Sequence, residues 1–264
     1  MSTWRFLKLA TYNAFMNMAL DEAILQARIA ERVPNTVRLY RWRPSAVSIG
    51  KFQKAENEVY LDNCRKLGVD VVRRMSGGGT VYHDADDEVT YGIIAKTEDL
   101  GVTDITAVYA KVYAGIADAL RLLGIPADFN LGDAKKCPNL TVNGKKISGS
   151  AQAHKSGIVL QHGTVLLNLD LERMFTLLRV PWAKTCTEVV NVAKNAHTSV
   201  KAELGHAVSV ETVSNVLFEG FKNAFGIQIT DGELTTFELE LANKLCREKY
   251  ATDDWNFYGK SALG

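Results

Sequence analysis

Residues 73–84 read RRMSGGGTVYHD. Three consecutive glycines are costly in an ordered chain, because each loses more backbone freedom on folding than any other residue. Here they follow two arginines and precede a His-Asp pair. The stretch before them, VDVVRR, has the β-branched character of a short strand running straight into the loop. EVTYGIIA, residues 88–95, alternates like a strand on the far side. Bare backbone lets N–H groups approach a ligand and form an anion-binding nest. A guanidinium can clamp a carboxylate or phosphate with two parallel hydrogen bonds. Side chains alternate across a strand, so one of Arg73 and Arg74 is expected to face the ligand. The bland alternative is a flexible strand connection.

Two better-known glycine loops are excluded. No lysine follows the last glycine, as a Walker A loop requires. The G-x-G-x-x-G spacing and the helix after it are also missing. His83 and Asp84 would point apart in a strand, so a simple His-Asp dyad is not expected, and one of the two is read as structural.

Outward from the loop, the pattern is mixed. WRFLKLA opens the chain as a strand, and NMALDEAILQARIAERV has helical apolar spacing that stops before Pro34. TVRLYRW and SAVSIG read as strands split by Arg43-Pro44, and residues 56–67 as a helix stopped by Gly68. Residues 106–123 form the clearest helix, with Thr106 as cap and Gly124 after its end. LTVNGKKISGSAQ is a hairpin signal, Asn143-Gly144 suiting a type I′ turn. GIVLQHGTVLLNLD reads as a long strand or strand pair with a break near Gly163. Helices are expected around 171–178, 209–225 and 234–249. Strands dominate the first two thirds without a regular βαβ rhythm. The expected class is α+β, a mixed, largely antiparallel sheet flanked by helices.

Composition limits the role. The 264 residues carry a formal net charge of +1, so bulk attraction to nucleic acid or anionic membrane is not expected, and anion binding must be local. No run of apolar residues is long enough for a membrane span, and the N-terminus lacks signal-peptide features. Cys64, Cys137, Cys186 and Cys246 are scattered without a C-x-x-C pair, which favours the cytoplasm over a disulfide framework or a structural zinc site.

A second cluster, NGKKISGSAQ, puts Lys145 and Lys146 after the turn, one facing the sheet and the other water. Ser148, Gly149, Ser150 and Ala151 then leave room for a ligand. A strand lysine is usually just solvated, but here it could supply the charge a phosphate-holding loop needs. His162 sits in an apolar run, as a satisfied core residue or as part of a cavity with Val159, Val165 and Leu167 as candidate walls.

Taken in order, FMNMALDEAI, PSAVSIGKFQ, RRMSGGGTVYHD, NGKKISGSAQ, LQHGTVLLNLD and WNF resemble the lipoate–protein ligase A family over most of the chain. The resemblance implies the fold shared with biotin ligases and class II aminoacyl-tRNA synthetases. It also implies a two-step activity. Lipoate or octanoate and Mg-ATP give an acyl-AMP, which is then attacked by a lysine of a lipoyl domain. The acceptors implied are 2-oxoacid dehydrogenase lipoyl domains or a glycine cleavage H protein. Lys146 matches the family's key lysine, expected between the acyl carboxyl and the α-phosphate. Arg74, Ser76, Gly77, Gly78, Gly79, Thr80 and His83 are implied to contact acyl group or nucleotide, together with Ser148, Gly149, Ser150 and His162.

Two departures matter. Asp86 and Asp87 replace the Gly and Asn that many members carry after the loop; they read as a charged turn or as ligands of Mg²⁺. The extra C-terminal domain that two-domain ligases use for activation has no counterpart in residues 1–264, read as a single catalytic domain. A separate accessory protein, or loss of the adenylation step, is expected. The second option leads to octanoyltransferases of the same fold, which resemble this chain in GKK-x-x-GSAQ…LQHG and take the acyl group from acyl carrier protein through a cysteine thioester, without ATP. Cys137 would be that cysteine, its thiol activated with help from Lys135 and Lys136, although its offset from the lysine motif is short for such enzymes. The main expectation is therefore an ATP-dependent ligase, with thioester transfer as the alternative. A non-catalytic acyl-binding module is a third reading, and no helix-turn-helix supports DNA binding.

Overall fold

The computed structural model describes residues 3–102, 104–132 and 137–261. The strands are β1 (Thr3–Tyr12), β2 (Thr36–Trp42), β3 (Ala46–Ile49), β4 (Asp70–Arg73), β5 (Val81–His83), β6 (Glu88–Lys96), β7 (Asp128–Asn130), β8 (Asn139–Val142), β9 (Lys145–Lys155), β10 (Ile158–Leu166) and β11 (Gln228–Gly232). The helices are α1 (Ala14–Ile29), α2 (Ala55–Glu58), α3 (Leu61–Lys66), α4 (Ile105–Leu122), α5 (Leu171–Leu177), α6 (Cys186–Ala196), α7 (Val200–Leu204), α8 (Val210–Phe225), α9 (Thr236–Leu245) and α10 (Asp253–Tyr258).

Eight strands form one sheet in the order β11-β1-β2-β6-β10-β9-β8-β7, parallel only where β1 meets β11 and β2. β4, β3 and β5 form a separate small sheet. The expected mixed, largely antiparallel α+β class is found. The turn at Arg43-Pro44 does more than separate two strands: β2 and β3 lie in different sheets. The single helix expected at residues 56–67 is instead two short ones, α2 and α3, and α6, α7, α10 and β11 were not expected.

α4 packs its apolar stripe, Val108, Val112, Ile116 and Leu120, with Leu217 and Phe221 of α8 against the large sheet, where Val159 and Val165 of β10 also point. Those two valines and Leu167 therefore belong to the core. They do not form the cavity walls expected of them. Asp104, not Thr106, caps α4, its carboxylate accepting from the Ala107 N–H at 2.9 Å. α1 joins α9 in a second core cluster with Tyr40, Trp42 and Val72. No helix among the described residues is long and apolar enough to cross a membrane.

β10 runs unbroken through Gly163 where a break was expected. A Cβ there would lie 2.4 Å from the Gly149 carbonyl oxygen and 2.5 Å from the Tyr91 hydroxyl, so glycine permits close strand contact rather than ending the strand. Asn143 (φ 50°) and Gly144 (φ 78°) are both left-handed, as the type I′ turn demands.

Candidate active site

A cavity of about 500 Å³ opens between the two sheets. Ser48, Arg74, Gly78, Gly79, Thr80 and His83 line it from the small-sheet side. Lys146, Gly149 and Ser150 line it from β9, Cys137 from just before β8, and His162 from β10. Met18, Tyr40, Trp42, Val81 and Ala151 supply apolar surface. Of the residues expected at a ligand site, Ser76, Gly77 and Ser148 lie behind this lining, and Asp86 and Asp87 lie away from it.

The two arginines divide their labour as strand alternation predicts. Arg73 is structural: it donates to the carbonyls of Gly50, Lys51 and Gln53, and to those of Trp255, Asn256 and Phe257, stapling the loop after β3 to α10. Arg74 faces the cavity. Its Nη1 donates to Ser48 O and Oγ at 2.9 and 2.8 Å, and its Nη2 to the carbonyls of Gly77 and Gly79 at 2.9 Å each. The guanidinium thus holds the glycine run by its carbonyls. Among the described residues no carboxylate pairs with it, and burial draws its pKa down to about 10.

The counter-charge arrives one step removed. Ser48 Oγ lies 2.7 Å from His83 Nε2, and His83 Nδ1 lies 2.8 Å from Glu88 Oε1. Ser76 Oγ lies 2.6 Å from His162 Nε2, and His162 Nδ1 lies 2.8 Å from Asp21 Oδ2. A carboxylate only accepts, so each Nδ1 carries the proton. In the neutral ring each Nε2 then accepts from a serine hydroxyl, which leaves the Ser48 oxygen free to accept from Arg74. Two aligned Ser-His-carboxylate chains therefore run from the guanidinium to Glu88 and Asp21. Burial lowers the His162 pKa against the opposing pull of Asp21. Arg38 and His162 outweigh the burial that would raise the Asp21 carboxyl, which ends below its usual value. His83 also stacks on Trp42, ring centroids 4.0 Å apart.

Reading the sequence missed Asp21, Ser48, Glu88 and Trp42. One signal was available: Asp21 is an acid within the apolar helix pattern of α1. His83 does ignore Asp84, which closes its own turn by accepting from the Tyr82 hydroxyl and the N–H of Asp86.

The β9 wall differs. Its pairing with β8 shifts register between Leu140 and Thr141, a bulge that places Lys146 and Gly149 on one face. A Cβ on Gly149 would sit 2.6 Å from both Cε and Nζ of Lys146. The lysine thus lies along the strand over bare backbone, towards Asn139, which pairs with Gly149 and follows Cys137 and Pro138. Among the described residues Lys146 Nζ has neither a hydrogen bond nor an ion pair. Burial lowers its pKa, and the nearby Cys137 opposes that shift. Lys135 and Lys136, invoked to activate Cys137, lie outside the described residues.

No carboxylate is present among the described lining residues. Asp86 is engaged by Arg41 and Arg43, at 3.5 and 3.0 Å, and Asp87 accepts from Asn168. The pair is a charged turn, and no group of described side chains suits a metal ion. The Mg²⁺ ligation considered for Asp86 and Asp87 is corrected accordingly.

Residues 13–222 match the lipoyl protein ligase A/B catalytic domain. Over 97% of its length the chain is 34% identical to the octanoyltransferase LipM of Clostridioides difficile, covering 99% of that protein. It is 31% identical to the LipM of Bacillus subtilis, covering 97% of this chain and 98% of the relative. Among solved structures, it resembles a bi-partite lipoate protein ligase of Thermoplasma acidophilum at a TM-score of 0.84 and 30% identity, covering 97% of this chain and 96% of that one. A lipoate-protein ligase A bound with ATP gives the same score and identity, covering 97% and 99%.

Both chemistries thus occur among the proteins this chain resembles, and its full-length relatives are all of one kind. They are named octanoyltransferases, which overturns the expectation of an ATP-dependent ligase that forms an acyl-adenylate with Mg-ATP. Among the described residues, Cys137 and Lys146 line this same cavity. With a family match spanning the whole cavity and full-length relatives above 30% identity, the chain belongs to the lipoyl protein ligase A/B catalytic domain family.

Proposed function

We propose that the chain is an octanoyltransferase, accepting an octanoyl group from acyl carrier protein as a thioester on Cys137 and passing it to a lysine of a lipoyl domain. One observation carries this reading: Cys137 and Lys146 line the same cavity, and among the described residues the lysine has no hydrogen bond or ion pair. A cation beside a cysteine favours the thiolate, the nucleophilic form. The thiolate attacks the carbonyl of the incoming thioester and the carrier thiolate leaves. In the second step the acceptor amine attacks the Cys137 thioester. Backbone N–H groups of Gly78 and Gly79, which line the cavity, suit the oxyanion formed at each attack.

The apolar side chains around the cavity accept the acyl tail, each buried CH₂ contributing about 0.8 kcal/mol. A thioester arrives already activated, so this reading requires no accessory protein for adenylation. Lipoyl domains of 2-oxoacid dehydrogenases and the glycine cleavage H protein are the acceptors to compare.

The test is transfer from octanoyl acyl carrier protein to a purified lipoyl domain without ATP, scored by acceptor mass. Transfer should proceed, an octanoyl adduct should be trapped on Cys137, and Cys137→Ser should abolish both. Undiminished transfer by Cys137→Ser would sink the proposal.

A further inference from the structure

Three histidines line the cavity. His83 and His162 have both ring nitrogens committed, one to a carboxylate and one to a serine. His197 is different. It follows α6, where the chain returns to β9: the Thr198 N–H donates to Lys146 O at 2.9 Å, and His197 forms an isolated parallel bridge with Lys146. Its Nδ1 lies 3.2 Å from the Ala193 carbonyl oxygen at the end of α6. A carbonyl only accepts, so Nδ1 carries the proton and Nε2 is left with its lone pair. That nitrogen has no partner among the described residues. His197 is half-buried beside Lys146, and no sequence motif drew attention to it.

We infer that His197 is the proton acceptor of the second half-reaction, its Nε2 taking the proton that the incoming lysine ammonium must lose before it can attack the acyl-thioester. This rests on the thioester reading above. The reaction needs such a group. An acceptor lysine arrives as R–NH₃⁺ at neutral pH, and Lys146 as an ammonium has no lone pair to offer. Once the proton is on Nε2, the amine electron pair forms the C–N bond and the carbonyl electrons move to oxygen. The C=O bond then re-forms, the C–S bond breaks, and its electrons leave on Cys137 as a thiolate facing Lys146. The amide nitrogen gives its second proton to water, and His197 returns the first to solvent.

Burial, then the charge of Lys146, lower the pKa of His197 from 6.5, so the ring is neutral at physiological pH. Besides Lys146, whose charge bears on His197, the described titratable groups sharing its cavity are Tyr40, Arg74, His83, Cys137 and His162.

The test separates the two half-reactions with His197→Gln. Acylation of Cys137 by octanoyl acyl carrier protein should stay within about twofold of wild type. Single-turnover transfer to a lipoyl domain should fall on the order of 100-fold. Wild-type transfer should decline on acidification below 6.5, and the variant should lose that limb. Hydroxylamine, an amine that needs no base at neutral pH, should discharge both acyl-enzymes equally. Unchanged transfer in the variant would overturn the inference. So would a loss shared by acylation, hydroxylamine discharge and transfer alike, which marks a purely structural role. A wild-type chain that forms no adduct on Cys137 would instead overturn the thioester reading, and this inference with it.

Discussion

Among the described residues, two cations stand on facing walls of the cavity, and they are treated in opposite ways. Arg74 is deeply buried, yet its donors are spent on Ser48, Gly77 and Gly79, with two serine-histidine chains leading to Glu88 and Asp21. Lys146 is half-buried with no hydrogen bond or ion pair among the described residues, over a glycine that makes room for it. A buried charge is costly unless it is paired and hydrogen-bonded. Satisfying Arg74 produces a rigid wall that shapes the glycine run. Leaving Lys146 unsatisfied produces a site that gains when a negative charge arrives, such as a thiolate or an oxyanion. A saturated cation is architecture; an unsaturated one is reserved for chemistry.

Lys146→Ala should separate the walls most strongly. Transfer should fall on the order of 10³-fold, while thermal stability holds or rises, because an unpaired cation is removed. A melting temperature that drops with activity would erase the distinction. Arg74→Met should do the reverse, costing about 2–4 kcal/mol in urea unfolding because buried carbonyls lose their donor. Arg74→Lys should not restore it, since one ammonium cannot span the Ser48 and glycine acceptors. Full stability with lost activity would make Arg74 a chemical group after all.

The serine-histidine chains can be tested by pH. The folded-state pKa of His162 is lowered, so the unfolded chain binds the proton first as pH falls below about 6.5. Stability is therefore full above that value and is lost as pH falls towards the folded pKa. His162→Gln should flatten the profile in that window, the residual slope coming from His154 and His197, whose pKa values are also lowered. An unaltered profile would show that burial does not hold His162 neutral.

Gly149→Ala is the gentler probe. Its Cβ would meet the flexible end of Lys146, which can move aside, so activity should fall about 10-fold while stability changes by under about 1 kcal/mol. Asp86→Asn marks the outer limit of the site. Its partners Arg41 and Arg43 form a charged turn away from the cavity, so turnover should stay within about twofold.

The glycine loop, the Asn143-Gly144 turn and the Lys146 motif were legible because each is written in adjacent residues with one local geometry. The ordered motifs also led to the right family. They did not settle the chemistry, because the same scaffold carries ATP-dependent ligases and octanoyltransferases. The short offset between Cys137 and Lys146 counted against the cysteine when read as a line of letters. Folded, the β8–β9 hairpin puts Gly149 opposite Asn139, the bulge lays Lys146 over Gly149, and Cys137 lines the same cavity.

What the sequence determined by itself was local: where the backbone must be bare, where it must turn, and which lysine follows the turn. Steric and hydrogen-bonding rules act over a few residues, so these features survive without knowledge of the rest. What the tertiary structure decided was pairing. Asp21 meets His162 across 141 residues, and Ser48 meets His83 across 35. His197 reaches Lys146 only because the end of α6 bridges to β9. A buried polar group takes whichever partner the packed sheets bring within about 3 Å, and no spacing along the chain encodes that choice.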